Sequence, residues 1–98
     1  MATTVVVNFI AAEGKDKLLA ESLTEIVEII RGYHTCHNAT LFVSEQTPSK
    51  MMIIEEWESS DEHQKFYADL KANGAFDQVA KLFSDFSFNY FEKDDEKI

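Results

Sequence analysis

The chain has little of several residues that would mark particular protein classes. It has one cysteine, Cys36, so no disulfide can form within the chain and its cysteine use does not indicate an oxidising compartment. Nine Lys and Arg stand against eighteen Asp and Glu. The resulting net charge of −9 argues against nucleic acid or an anionic membrane as a partner. No basic leader or membrane-length apolar run is visible, so the expected location is cytoplasmic.

What the chain does contain is enough apolar material for one core. Its 98 residues suit a single domain, and 45% of them are apolar, including eight Phe. We expect an ordered core over about residues 4–91 and a charged tail over residues 92–98 that frays.

The spacing of apolar residues predicts four strands and two helical regions. The strands are predicted over residues 5–10, 36–44, 51–57 and 86–91, and the helices over 15–31 and 61–83. Gly32 is expected to end the first helix in a left-handed conformation, and Asn73-Gly74 to interrupt the second.

This β-α-β-β-α-β order is typical of the ferredoxin-like α+β fold, a four-stranded antiparallel sheet with its helices on one face. The first strand is apolar on both faces apart from Asn8. The face away from the helices would otherwise meet water, so we expect a second copy to cover it. The sequence therefore predicts a homodimer with a barrel between the protomers, a dimeric α+β barrel.

The segment from Met51 to Ser59 brings a strand, a tryptophan and a helix start together. Glu55 and Trp57 are two residues apart, so on a strand they share one face. Ser59 or Ser60 is a suitable N-cap for the helix that follows. A carboxylate and an indole at the end of a strand indicate a pocket wall.

Over residues 5–91 the chain resembles the antibiotic biosynthesis monooxygenase family of the dimeric α+β barrel superfamily. The resemblance rests on the opening strand into Ala11-Ala12-Glu13-Gly14-Lys15, the stretch 31–36, and Glu55-x-Trp57-x-Ser59 before a helix. It implies a homodimer with one pocket per protomer between sheet and helices. It also implies oxidation of a phenolic, quinol or polycyclic aromatic small molecule by O2, with no metal or flavin cofactor.

The chain departs from this family at its histidines. Family members usually carry a histidine nine or ten residues after the tryptophan, where this chain has Phe66 and Tyr67; its own His63 lies one helical turn earlier. No histidine follows His63, which argues against the haem-degrading branch. These departures favour the alternative, a non-catalytic dimeric small-molecule-binding or accessory protein of the same fold.

Asn8 and His63 are the candidate catalytic residues. The resemblance places an asparagine at position 8 in contact with substrate or an oxygen species, where its amide would stabilise an oxyanion. The competing interpretation is a hydrogen bond to a neighbouring loop. The imidazole of His63 is suited to deprotonating a phenol near neutral pH, but it also lies in a first helical turn, where an exposed histidine is ordinary.

Four residues are candidates for binding an aromatic or hydrophobic ligand. Trp57 would stack on its rings, with core or dimer packing as the competing interpretation. Phe66 and Tyr67 would position the rings, and Tyr67 follows His63 by one helical turn. Glu55 would act as a base or pair with a lysine, and we favour the lysine.

His34, Cys36 and His37 lie close in sequence but do not predict a metal site. On a strand His37 points away from the other two, and no second cysteine or histidine pair completes a tetrahedral set. We expect no bound metal.

Overall fold

The computed structural model describes residues 2–93 and has the predicted β-α-β-β-α-β order, with the second helical region divided in two. The elements are β1 (Thr3–Ala11), α1 (Asp16–Arg31), β2 (Cys36–Val43), β3 (Lys50–Trp57), α2 (Ser60–Ala72), α3 (Ala75–Ala80) and β4 (Phe83–Glu92). Of the predicted tail, Glu92 is the last residue of β4, and residues 94–98 lie outside the described residues.

The four strands form one antiparallel sheet in the order β2-β3-β1-β4. The strand β1 is central, and its alternate residues Val5, Val7 and Phe9 are buried against the helices. In the antiparallel register Val5 pairs with Glu55, so Glu55 is on the same face of the sheet as these three residues. This helix-covered face carries the core and positions the candidate site.

The first helix contributes a single apolar stripe to that core. Its buried residues recur at helical spacing: Leu19, Leu23, Ile26, Val27 and Ile30. The prediction of a left-handed Gly32 was wrong, because Gly32 has a φ of −77° and continues the right-handed turn. Its backbone N–H donates to the Ile29 carbonyl, and the Tyr33 N–H donates to the Ile30 carbonyl, at the end of the helix.

The second helical region breaks where predicted but ends earlier than predicted. Gly74 has a φ of 85°, a conformation that favours glycine, and the Asn73 side chain accepts a hydrogen bond from the Ala75 N–H at 2.9 Å. The short α3 ends at Ala80, and Phe83 is the first residue of β4. One extra residue of β4, Ser84, lies between the pairs Ile10–Asp85 and Ala11–Phe83 and shifts the register there.

The strand β4 places aromatic rings over the core. Phe86, Phe88 and Tyr90 share the helix-covered face, since they pair with Phe9, Val7 and Val5 of β1.

The opposite face of the sheet, which we call the open face, has an apolar centre and more polar outer strands. Its central residues are Val6, Asn8, Ile10, Met52 and Ile54, and none of them is buried. Phe42 and Phe91, farther out on this face, keep 45% and 52% of their surface exposed. On this face β1 contributes Val6 and Ile10 beside Asn8, as the sequence predicts for that strand, whereas β4 contributes the polar residues Asp85, Ser87 and Asn89. None of the described helices is long and apolar enough to cross a membrane.

Candidate functional site

Strand β3 and helix α2 bring the site residues together across a tight connection. The alternation of β3 buries Glu55 and Trp57 on the helix side. Ser59 then caps α2, its Oγ accepting a hydrogen bond from the Glu62 N–H at 3.3 Å. This cap begins the helix so that His63 falls in its first turn on the buried side, next to Glu55.

The polar groups of the site form a connected series through the core. The indole N–H of Trp57 donates to Oε1 of Glu55 at 2.8 Å. His63 Nε2 lies 3.7 Å from the same Glu55 oxygen, which is too long for a hydrogen bond. On its other side, His63 Nδ1 is 2.9 Å from the hydroxyl oxygen of Tyr90. Trp57, Glu55, His63 and Tyr90 therefore follow one another from the core toward the edge strand β4.

Burial shifts the pKa of both titratable groups toward the neutral form. Glu55 and His63 are each 3% exposed. Loss of hydration raises the pKa of Glu55 from 4.5 to about 7, although the hydrogen bond from Trp57 opposes the shift. The same loss of hydration lowers the pKa of His63 to about 4. Near neutral pH the imidazole is thus uncharged, and the carboxyl group is close to its midpoint.

A cavity lies between the sheet and the helices beside this pair. Its open space is about 40 Å³, room for about three water molecules. A ligand with an aromatic ring therefore requires the lining side chains to move. Three of the residues that line it are titratable: Glu55, His63 and Tyr67. The other lining residues are apolar or aromatic: Val7, Phe9, Leu23, Ile26, Ile30, Ile53, Phe66, Leu70, Phe76, Val79, Phe86 and Phe88.

The structure brings four of the six predicted site residues to this cavity. Glu55, His63, Phe66 and Tyr67 all line it. His63 is buried, not exposed as the competing interpretation had it. Its ring contacts those of Phe66 and Tyr67, with centroids 6.2 Å and 6.4 Å away.

Trp57 and Asn8 lie elsewhere. Trp57 is fully buried and does not line the cavity. Its ring centroid lies 5.4 Å from that of Phe66, and its indole N–H donates to Glu55. Asn8 is exposed on the open face, because it alternates with the inward-facing Val7 and Phe9. Within one chain the sheet separates Asn8 from His63, and a catalytic role for Asn8 stays a prediction.

The prediction that Glu55 pairs with a lysine was wrong. No lysine is among the described residues that line the cavity, and the structure gives Glu55 an indole N–H within its own strand and a histidine from α2. Sequence reasoning also missed Tyr90, which is 27 residues from His63. The alternation of Phe86, Phe88 and Tyr90 was visible in the sequence, but which helix residue they meet depends on the sheet order.

The histidines near Cys36 do not converge with it on a metal. His37 Nε2 lies 3.8 Å from Glu58 Oε2 at the surface, and the Cys36 thiol donates to the Asn38 carbonyl at 3.3 Å. Within residues 2–93 no group of three or more His, Cys, Asp or Glu is placed to hold a metal ion.

The fold and site together define a ferredoxin-like α+β protein with a titratable pair in an aromatic-lined cavity. Comparison with protein families makes the assignment specific: the model of the family described as antibiotic biosynthesis monooxygenase matches residues 2–69. The chain belongs to that family. A comparison with curated proteins finds no match.

Solved structures share the fold over nearly the whole chain. A protein from Shewanella oneidensis is 22% identical with a TM-score of 0.83, over 94% of this chain and 90% of its own. A protein from Deinococcus radiodurans, provisionally assigned as an antibiotic biosynthesis monooxygenase, is 17% identical with a TM-score of 0.83, over 95% and 93%. One from Mycobacterium tuberculosis is 20% identical with a TM-score of 0.76, over 98% of both chains.

Proposed function

We propose that this protein is a monooxygenase that oxidises a phenolic, quinol or polycyclic aromatic small molecule with O2, using the electrons of the substrate and no metal or organic cofactor. Membership of the antibiotic biosynthesis monooxygenase family supports the class of reaction. The observation that carries the proposal is the cavity, in which Glu55 and His63 are the acid–base pair among apolar and aromatic side chains.

The proposed chemistry for a simple phenol is as follows. Loss of the hydroxyl proton to the Glu55–His63 pair gives an electron-rich phenolate, which passes one electron to O2. The phenoxyl radical and superoxide then combine to form a carbon–oxygen bond, and the peroxide takes up a proton. Loss of water from this hydroperoxide leaves a quinone, so one oxygen atom enters the product and the other leaves in water.

The surroundings of the pair suit such a reaction. Phe66, Tyr67 and Phe88 would hold an aromatic ring against the titratable groups. An apolar cavity also excludes water from the radical pair, which limits escape of superoxide. The protein would contribute orientation and a dry site, and the substrate would contribute the reactivity.

We further propose that the protein acts as a homodimer through its open face. Val6, Ile54 and Met52 form an apolar strip across the two central strands of that face. A second copy would cover this strip and would enclose Asn8 as well, so any contact of Asn8 with a ligand would arise in the dimer.

The second candidate function is a non-catalytic dimer that binds a small hydrophobic or aromatic molecule. The observation in its favour is the small size of the cavity, together with Phe66 and Tyr67 at the positions where the family usually has a histidine. Such a protein would hold its ligand without consuming oxygen.

Oxygen uptake separates the two candidates. Metal-stripped protein is mixed with a panel of phenols, quinols and anthrones in a sealed electrode cell, and each rate is compared with that of the compound alone. The monooxygenase proposal expects catalysed uptake with at least one compound and a clear loss in Tyr67→Ala, which removes a ring from the cavity wall. Tight binding of a panel member with no uptake from any would instead identify a binding protein.

A further inference from the structure

We propose that Glu55, rather than His63, removes the hydroxyl proton of the substrate, and that His63 and Tyr90 connect Glu55 to solvent. The inference rests on the proposed function and assigns the acid–base roles within its site. It extends the site to Tyr90, on a strand far from Glu55 in the chain.

The first argument concerns which basic atoms of Glu55 and His63 are free to contact a substrate in the cavity. Both side chains line the cavity, but both ring nitrogens of His63 already face protein groups: Nδ1 faces the Tyr90 hydroxyl at 2.9 Å, and Nε2 faces Glu55 at 3.7 Å. Glu55 has two oxygens, and the indole of Trp57 fixes Oε1 from behind at 2.8 Å. The second oxygen of Glu55 is then the atom best placed for a hydroxyl group in the cavity.

The second argument compares the pKa of each group with the pH at which it would act as a base. A general base works best when its pKa is near the working pH. Burial raises the pKa of Glu55 to about 7 and lowers that of His63 to about 4. The other titratable groups that face Glu55 are Tyr90 on β4 and Cys36 on β2, and burial raises the pKa of both, so both stay uncharged beside it.

The third argument is the continuity of hydrogen-bonding groups from Glu55 to the surface. A neutral imidazole has one N–H and one free lone pair. It therefore takes a proton at Nε2 while releasing one at Nδ1 to the Tyr90 oxygen. Tyr90 is only partly buried, and its hydroxyl has the exposed Gln64 as a further partner. The distance of 3.7 Å runs from Nε2 to Oε1, so the carboxyl group must turn its second, protonated oxygen toward Nε2 and close this gap, as catalytic contacts commonly tighten when substrate binds.

The protons balance in this scheme. Glu55 takes the proton of the phenol, and the peroxide formed later takes one back, so the reaction leaves no net proton on the protein. The path through His63 and Tyr90 lets Glu55 exchange its proton with solvent while the cavity is closed. When a substrate binds to protein whose Glu55 is already protonated, this path lets the carboxyl group first lose that proton to solvent.

The first test reads proton transfer directly, without turnover. The probe is 3-nitrophenol, which is mostly neutral in solution near pH 7.5 and whose ionised form absorbs at longer wavelength. Wild-type protein is expected to bind it as the phenolate near pH 7.5, and Glu55→Gln to bind it as the neutral phenol at the same pH. Gln keeps the oxygen that accepts from Trp57, so the variant retains that contact. Equal ionisation in both proteins, or no binding of the probe to wild type, would overturn the inference.

The second test uses oxygen uptake with the substrate that the panel identifies. Glu55→Gln should lower kcat by about 100-fold with little change in KM, and should abolish the rise of the rate with pH through about 7. Tyr90→Phe should lower kcat less while keeping the pH midpoint. The matched control is Tyr33→Phe, which loses a hydroxyl bonded to Asp69 at the surface and should keep the wild-type rate.

The outcomes distinguish this inference from the proposed function. Normal turnover in Glu55→Gln leaves the monooxygenase standing and overturns the role of Glu55. An unchanged rate in Tyr90→Phe overturns the path to solvent. If bound 3-nitrophenol is ionised only when Glu55 is present, in a protein that consumes no oxygen, the inference is supported while the oxygenase chemistry fails.

Discussion

At the scale of single residues, Glu55 and His63 resemble each other in burial and differ in the sign of their pKa shifts. Each loses most of its hydration, and the charged form of each is penalised. The result is a carboxyl group that protonates near pH 7 beside an imidazole that stays neutral. This inversion of the usual order makes the carboxylate the stronger base of the two.

The shift of Glu55 predicts a pH-dependent stability difference between wild type and Glu55→Gln. Between pH 4.5 and about 7 the folded protein keeps a proton that the unfolded chain has lost, so the contribution of Glu55 to stability declines as pH rises through this window. The stability of Glu55→Gln relative to wild type should grow across it by up to about 3 kcal/mol. Urea unfolding of both proteins at several pH values measures the difference.

His63 supplies the opposite slope in both proteins. Its stabilising contribution is complete above pH 6.5 and is lost as pH falls toward about 4, since the unfolded chain then binds the proton more readily. In wild type the two slopes oppose each other between pH 4.5 and 6.5, whereas Glu55→Gln keeps the His63 slope alone. A difference between the two proteins that stays constant with pH would show that Glu55 titrates normally.

Gly74 is a residue whose backbone limits what can replace it. At a φ of 85° an alanine is strained even though no atom lies within 4 Å of its Cβ. Gly74→Ala should lower the free energy of unfolding by about 1 kcal/mol, measured by urea denaturation. Gly74→Asn is the control and should cost less, because asparagine adopts a left-handed backbone more readily than alanine. Equal losses would contradict this account of the turn.

At the scale of elements, the start of α2 decides where His63 lies. The connection from β3 is two residues long, and the Ser59 cap fixes the first turn. The sequence narrowed this cap to Ser59 or Ser60, because both follow an apolar strand at about the right distance, and the structure selects Ser59. It was sufficient for α1, whose apolar residues keep one helical face throughout.

Removing the Ser59 cap should destabilise the protein. Ser59→Ala leaves the Glu62 N–H without its side-chain partner, and the expected loss is about 1 kcal/mol in the free energy of unfolding. Ser59→Asp keeps an acceptor oxygen next to the positive end of the helix and should retain most of the stability. If Ser59→Asp were as unstable as Ser59→Ala, the cap would not be the reason for the loss.

Other features of the elements could not be read from the sequence. The face of β1 that meets the helices was undetermined, because Val5 and Val7 on one face are matched by Val6 and Ile10 on the other. The pairing of Val5 with Glu55 decides it, and this pairing joins residues 50 apart in the chain. The same long-range order decides that Tyr90 meets His63 and that Asn8 does not.

At the scale of the whole molecule, the sheet divides the protein into a covered face with the cavity and an open face with an apolar centre. The covered face accounts for the buried core of the described residues. The open face carries Phe42 and Phe91, two exposed large apolar side chains of the sheet. A face of this kind usually marks an interface.

The open face predicts the effect of a charge on assembly. Wild type should sediment as a dimer, and Ile54→Lys should sediment as a monomer at the same concentration, because the lysine lies at the centre of the proposed interface. The matched control is Ile29→Lys, which makes the same replacement at a 49% exposed position on α1 and should remain dimeric. A monomeric wild type, or dimers in all three proteins, would contradict the proposed use of this face.

The central claim, that the cavity transfers one oxygen atom from O2 to an aromatic substrate, is tested most directly by isotope labelling. The reaction is run under ¹⁸O2 with the substrate found by oxygen uptake, and the molecular mass of the product is measured by mass spectrometry. The account predicts a quinone that gains one ¹⁸O atom, with the second atom in water. A product without label, whose added oxygen comes from water instead, would contradict it.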